Sequence, residues 1–210
     1  MKRIIIFDFD GVLADSVNVV YNMNKDAAKH MGKTLTMEEY LSCFEEHINK
    51  RLALLLSLSE KEKEDFVEYK ASIFPKYYTP ESVTLFPFAE ELIKQVSQLG
   101  SLWIASSSPK ELIEKVLDSK GLLNYFSLII GQNTQPKNLV LSEALAGKET
   151  EKIYFITDTT GDIKETRLLN VPVQTLAVSW GFHSSSLLTS EHPSIVVEDY
   201  DEIMKFIQSY

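Results

Sequence analysis

The chain opens on an unbroken apolar run, Ile4-Ile5-Ile6-Phe7, with no polar residue at alternate positions. Such a run suits a strand buried on both faces of a parallel sheet better than one with a solvated face. From Val17 the spacing changes. Val17, Val20, Tyr21, Asn24, Ala27, Ala28 and Met31 recur at helical intervals, and Gly32 sits where that helix would end. Thr36-Met37-Glu38-Glu39 has the pattern of a capping box and predicts a second helix through Tyr40, Leu41, Phe44 and Ile48. Leu52 to Leu58 predicts a short apolar third helix. Ser59-Glu60-Lys61-Glu62 repeats the capping-box pattern and predicts a fourth through Phe66, Tyr69, Lys70 and Ile73, which Pro75 should stop. Residues from about 17 to 80 therefore read as all-helical.

Beyond Phe86-Pro87 the two periods alternate. Phe88, Leu92, Ile93, Val96 and Leu99 mark one helix face, with Gly100 as its expected C-cap, and a strand follows at Leu102 to Ala105. Ser108-Pro109-Lys110-Glu111 predicts a helix from Pro109 to about Ser119, with Ser108 as its N-cap. Strands are predicted at Ser127 to Ile130, Ile153 to Ile156, Val173 to Val178 and Ile195 to Val197. The helices between and after them fall at about Leu139 to Ala146, near Ile163 to Leu169, and after Asp199. Strands alternating with helices imply right-handed crossovers and an α/β fold, a doubly wound, mainly parallel, Rossmann-like sheet. The division expected is a core of residues 1–16 and 84–210, with 17–83 inserted as an all-helical block.

Composition narrows the setting. With 210 residues, 44% hydrophobic, the chain can bury a sizeable core. A net charge of -9 and a pI near 5.0 argue against nucleic acid and anionic membrane as partners, so any phosphate site must be local. The one cysteine, Cys43, cannot form an internal disulfide; it reads as a small buried apolar residue in a cytoplasmic protein. The opening residues show neither a signal nor a transit pattern, and no apolar run reaches membrane-spanning length. His30, His47, His183 and His192 have no ligand-like spacing and read as surface or capping residues.

The chemistry begins where the first strand ends, in Asp8-Phe9-Asp10-Gly11-Val12-Leu13-Ala14-Asp15-Ser16. Two carboxylates beside a buried strand end, with no local counter-charge, are costly unless a cation sits there. A purely structural alternative is an Asx-type turn with Gly11 at positive φ. The stretch resembles the first motif of the haloacid dehalogenase superfamily, whose members with two such aspartates are magnesium-dependent phosphohydrolases working through an aspartyl-phosphate. The arrangement resembles its helical-capped members, of the phosphoglycolate phosphatase and β-phosphoglucomutase type, and the likeness covers essentially the whole chain.

That resemblance implies three further motifs in order. Ser106 in Ala105-Ser106-Ser107-Ser108 matches the phosphate-binding hydroxyl, with Ser107 beside it, while Ser108 reads as a helix cap. Lys137 in Gln135-Pro136-Lys137-Asn138 matches the lysine, although proline here precedes it where the family usually has proline after. Asp158 and Asp162 in Thr157-Asp158-Thr159-Thr160-Gly161-Asp162 match the acids that complete the metal site; Thr157 stands where glycine is usual, and Asp162 alone could be a helix N-cap. Trp180-Gly181-Phe182 resembles a stretch near the site rim and reads as structural.

The implied roles are Asp8 as nucleophile, Asp10 as acid and then base, and Mg²⁺ near Asp8, Asp10, Asp158 and Asp162, with Ser106, Ser107 and Lys137 on the phosphate. The substrate implied is a small phosphorylated metabolite, held beneath the helical cap by a monomer or small homo-oligomer. Asn49-Lys50-Arg51, a basic break between apolar helical runs, is the candidate for selectivity, with an ordinary solvated helix start as its alternative. Two other functions fit the same residues: a phosphosugar mutase of the β-phosphoglucomutase type, and a non-catalytic protein that binds a phosphate ligand.

Overall fold

A computed structural model describes residues 2–45, 48–131, 136–148 and 151–209. The first strand, β1 (Arg3–Phe7), leads into a two-residue strand β2 (Ala14–Asp15) and then into helices α1 (Val17–His30), α2 (Met37–Ser42), α3 (Ile48–Leu55) and α4 (Glu60–Tyr77). A second two-residue strand, β3 (Thr84–Leu85), pairs antiparallel with β2, so the chain enters and leaves the helical segment through one short ribbon. Then follow α5 (Ala89–Val96), β4 (Ser101–Ala105), α6 (Lys110–Ser119), β5 (Phe126–Ile130), α7 (Lys137–Ala144) and β6 (Lys152–Thr157). The chain continues through α8 (Thr160–Thr166), β7 (Val173–Val178), α9 (Ser185–Ser190), β8 (Ile195–Val197) and α10 (Tyr200–Ser209).

Six strands form one parallel sheet in the order β5-β4-β1-β6-β7-β8. The unbroken apolar run of β1 is explained by its two covered faces. Ile5 and Phe7 pack into one cluster with Leu92, Ile93 and Ile113 of α5 and α6, whereas Ile4 and Ile6 pack into another with Leu141 of α7. The order runs outward from β1 through β4 to β5 and then returns to β6 on the other side. This reversal lies between β1 and β6, and in doubly wound sheets ligands bind at such a switch, outside the carboxyl ends of the strands.

The helical segment has its own apolar cluster, in which Ala27, Ala28, Leu35, Tyr40, Cys43, Leu52, Leu56 and Phe66 are buried. Both capping boxes form, with Thr36 and Ser59 accepting from the amides of Glu39 and Glu62 while those glutamates accept in return. Three boundaries differ from expectation. First, α4 continues past Pro75 to Tyr77; the proline removes only one helical bond, and Tyr78, stacked on Phe74 at 5.1 Å, closes the final turn through its amide. Second, α2 gives way after Ser42 to a 3₁₀ turn at Cys43–Glu45, and Ile48 starts α3, so Asn49, Lys50 and Arg51 lie in a first helical turn. Third, α5 ends at Val96, and Gly100 serves a close approach in place of a cap, since a Cβ there would lie 2.5 Å from the Arg3 carbonyl. Among the described residues no helix is long and apolar enough to cross a membrane.

Candidate active site

The central strands β4, β1 and β6 end side by side, and each delivers polar groups to the same place. Asp8 directly follows β1 and is tied to β6 by its amide, which donates to the Ile156 carbonyl at 2.9 Å. Its Oδ1 accepts from the Phe9 amide at 2.7 Å, and its Oδ2 from Lys137 Nζ at 2.7 Å. Lys137, the first residue of α7, also donates to Asp162 Oδ2 at 2.6 Å, so one ammonium spans two carboxylates. Proline before this lysine is thus compatible with its reach: Pro136 caps α7 and Lys137 heads the first turn. The Asn138 amide next to it donates to Glu165 of α8 at 3.0 Å, joining the two helix starts.

Asp162 is not the N-cap of α8. Thr159 takes that position, with its hydroxyl accepting from the Asp162 amide, which leaves the Asp162 carboxylate for Lys137 and for the Thr157 hydroxyl at 2.9 Å. Thr157 thus does something glycine cannot: its hydroxyl orients Asp162 and also accepts from the Thr159 amide at 3.3 Å.

Asp158 follows β6 and is fully buried. Oδ2 accepts from the Phe182 amide at 2.7 Å, while Oδ1 has no hydrogen-bond partner among the described residues. Two glycines make room for this carboxylate. Gly11, at φ 76°, and Gly181 both lie so close that a Cβ on either would collide with Asp158. The stretch Trp180-Gly181-Phe182 is therefore part of the site wall.

Asp10 is enclosed differently. Oδ1 accepts from Ser16 at 2.5 Å and from the Tyr78 hydroxyl, and Oδ2 accepts from Ser108 at 2.5 Å and Ser106 at 3.4 Å. Ser108, expected to cap α6, instead turns its hydroxyl to Asp10 and Tyr78, and Pro109 takes the cap position. Ser107 is exposed. Asn49 and Lys50 are also exposed, and Asn49 accepts from Lys70 of α4 at 3.3 Å. Arg51 is half-buried, and its charge acts on Cys43. His183 proves to be a capping residue, though a buried one. Its Nδ1 accepts from the Thr160 amide, so Nε2 carries the proton and donates to Leu41 O at 3.1 Å, linking the core to the helical segment. His47 lies outside the described residues.

The electrostatics of these groups is set by burial and crowding. Burial raises the Asp8 carboxyl well above its ordinary value; Asp162 and Asp158 raise it further, against the opposing pull of Lys137. Burial also raises Asp158, to about 7. Burial works against the charge on Lys137, but Asp162 and Asp8 outweigh it and hold the ammonium above its usual range. Burial and then the Asp10 charge push the Tyr78 phenol well up, which keeps it a donor.

A carboxyl raised on folding stabilises the native state below its unfolded value, and that contribution is lost as pH rises through the folded value. For Asp158 the window runs from 3.8 to about 7. In excess chelator, Asp158→Asn should therefore raise Tm near pH 8 by about 4–8 °C, corresponding to about 2 kcal/mol, with a smaller gain near pH 5. A calorimetric pH series checks this, and a variant equally destabilised at every pH would refute it.

Whether these residues suit a divalent cation can be judged from the donors. Among the described residues no three His, Cys, Asp or Glu side chains gather to hold a metal ion. The carboxylates of Asp10 and Asp162 are committed to hydroxyls and to Lys137, which leaves Asp8 and Asp158 with spare acceptor capacity. Two carboxylates, one carrying an unpartnered buried oxygen, fit a hard cation that keeps waters and needs few protein ligands.

This arrangement has known counterparts. Residues 5–177 match the family model of the haloacid dehalogenase-like hydrolases, and the chain belongs to that family. It is an enzyme, a phosphatase. In sequence it is 28% identical to the phosphoglycolate phosphatase of Aquifex aeolicus, over 99% of this chain and 98% of that protein. With the phosphoglycolate phosphatase of Pseudomonas syringae pv. syringae it shares 22% identity, over 97% and 79%. The fold matches that of a predicted phosphatase from Clostridium acetobutylicum with a TM-score of 0.85 at 20% identity, over 100% of both chains. It also matches a hydrolase from Pseudomonas syringae with a TM-score of 0.78 at 20% identity, over 99% of each.

Proposed function

We propose that this phosphatase is Mg²⁺-dependent and hydrolyses a small phosphomonoester through a phosphoryl group carried transiently on Asp8. The observation that carries the reading is the convergence of Asp8, Lys137 and the unpartnered oxygen of Asp158 at the carboxyl ends of β1 and β6. Asp8 and Asp158, with the backbone carbonyl of Asp10, would hold the cation. When bound it offsets charge between carboxylate and phosphate dianion.

The chain's own groups supply the remaining steps. Asp8 attacks phosphorus in line, forming an oxygen–phosphorus bond as the ester bond breaks. Lys137 neutralises the incoming charge, and Ser106 donates to a phosphoryl oxygen. Asp10, in its acid form, gives a proton to the leaving alcohol, then accepts one from the water that releases phosphate and restores Asp8. Residues 17–83 act as a cap that excludes bulk water, with Asn49, Lys50 and Arg51 the candidates for selecting the substrate. The carboxylate of phosphoglycolate, the substrate class in the names of the sequence relatives, suits the guanidinium of Arg51.

Release of inorganic phosphate from phosphoglycolate, from a panel of phosphorylated metabolites and from p-nitrophenyl phosphate tests the reading. Activity should vanish in excess chelator and return with Mg²⁺, and Ca²⁺ should not replace it, because Ca²⁺ prefers a larger, looser oxygen shell. Full turnover in chelator would overturn it. A phosphorylated sugar formed in place of free phosphate would identify a mutase.

A further inference from the structure

Tyr78 is buried, with 3% of its surface exposed, and it stands where the chain leaves α4 on its way back to the core. Its ring stacks on Phe74 at 5.1 Å, while its hydroxyl reaches Asp10 Oδ1 and Ser108 Oγ, the latter at 3.0 Å. We propose that Tyr78 is a positioning residue for Asp10, holding Oδ1 so that Oδ2 faces the leaving oxygen of the substrate. The inference rests on the acid role given to Asp10 above.

The two oxygens of Asp10 are held by different parts of the chain. Ser16 and Tyr78, on Oδ1, flank the helical segment at its beginning and end, whereas Ser106 and Ser108, on Oδ2, belong to the loop after β4. A carboxylate offers about four lone-pair sites, and here all are engaged. In this arrangement Asp10 accepts at every site, so for it to carry a proton toward the substrate one hydroxyl must turn away from it. The Ser106 bond, at 3.4 Å, is the longest, and Ser106 is also the hydroxyl assigned to the phosphoryl group. As Ser106 turns to phosphate, a site opens on Oδ2. The proton can then occupy Oδ2 and pass to the bridging oxygen as its bond to phosphorus breaks. Throughout, Ser16 and Tyr78 keep Oδ1 fixed and hence the plane of the carboxyl group.

Protonation of the leaving group matters greatly for an alkoxide and little for p-nitrophenolate. Tyr78→Phe, which keeps the stacked ring, should therefore lower kcat/KM, which reads only the steps up to release of the alcohol, about tenfold or more on alkyl phosphates and by less than about twofold on p-nitrophenyl phosphate. Inhibition by inorganic phosphate should not change. In an Asp10→Asn background, adding Tyr78→Phe should have no further effect on alkyl esters. Equal losses on both ester types, or independent losses in the double variant, would overturn the Tyr78 assignment. Loss of phosphate inhibition in Tyr78→Phe would do the same, because it would show that the site itself had been disturbed. If Asp10→Asn alone lowers kcat/KM equally for both ester types, the acid role fails, and the Tyr78 inference fails with it.

Discussion

Asp8→Asn should be inactive, with kcat reduced at least about a thousandfold, yet it should melt no lower than the parent in excess chelator. The two halves of this result have one cause. Asp8 is the carboxylate placed to attack phosphorus, and an amide oxygen is too weak a nucleophile to replace it. The same carboxylate is buried and crowded by Asp158 and Asp162, which makes its charge unfavourable in the folded protein. An amide of the same shape removes that charge; the neighbouring Phe9 amide still finds an acceptor oxygen, and Lys137, which the new NH2 group would face, keeps Asp162 as its partner. Phosphate release and calorimetry on one preparation decide the matter. Substantial turnover by the Asn variant would exclude Asp8 as nucleophile, and a large drop in Tm would mean the carboxylate is structural.

Lys137→Ala should show the opposite stability effect. Its ammonium lies 2.7 Å from Asp8 and 2.6 Å from Asp162, and its side chain is only 13% exposed. Removing it leaves two carboxylates facing each other without their shared cation. Breaking a buried pair from one side typically costs about 3–5 kcal/mol, or about 6–20 °C in Tm for a chain of this size. Activity should fall about 10²–10³-fold, since a preorganised charge on the phosphoryl group would be lost. Asp162→Asn added to Lys137→Ala should recover part of the lost stability but none of the activity. If Lys137→Ala melts like the parent, the bridge contributes nothing to the fold.

Strong local patterns were legible in the sequence wherever burial or capping wrote them plainly. The apolar run of β1 announced a strand covered on both sides, and both capping boxes formed as predicted. The aspartates, Ser106 and Lys137, singled out by their resemblance to one family's motifs, lie together beside the ends of the central strands. What the sequence hid depends on contacts between distant positions. Strands β2 and β3 contain two residues each, too few to show a period, and only their pairing defines them. Ser108 looked like a helix cap because the following Pro-Lys-Glu fits one, yet its hydroxyl has a charged partner 98 positions away. Tyr78 offered no signal at all, since a tyrosine after an amphipathic helix reads as packing until Asp10 is seen beside it. Asp162 shows the same competition, where Thr159 won the cap and released the acid for Lys137.

Cys43 supplies a built-in reporter. It is the only sulfhydryl in the 210 residues, it lies in the apolar cluster of the helical segment with 1% of its surface exposed, and burial pushes its thiol up. A thiol reagent can reach it only when that segment opens, and reacts only with the small ionised fraction. The labelling rate therefore reads the opening equilibrium of these helices without an engineered dye or substitution. Comparing that rate with and without phosphate and Mg²⁺ separates motion of the helical segment from chemistry at the strand ends.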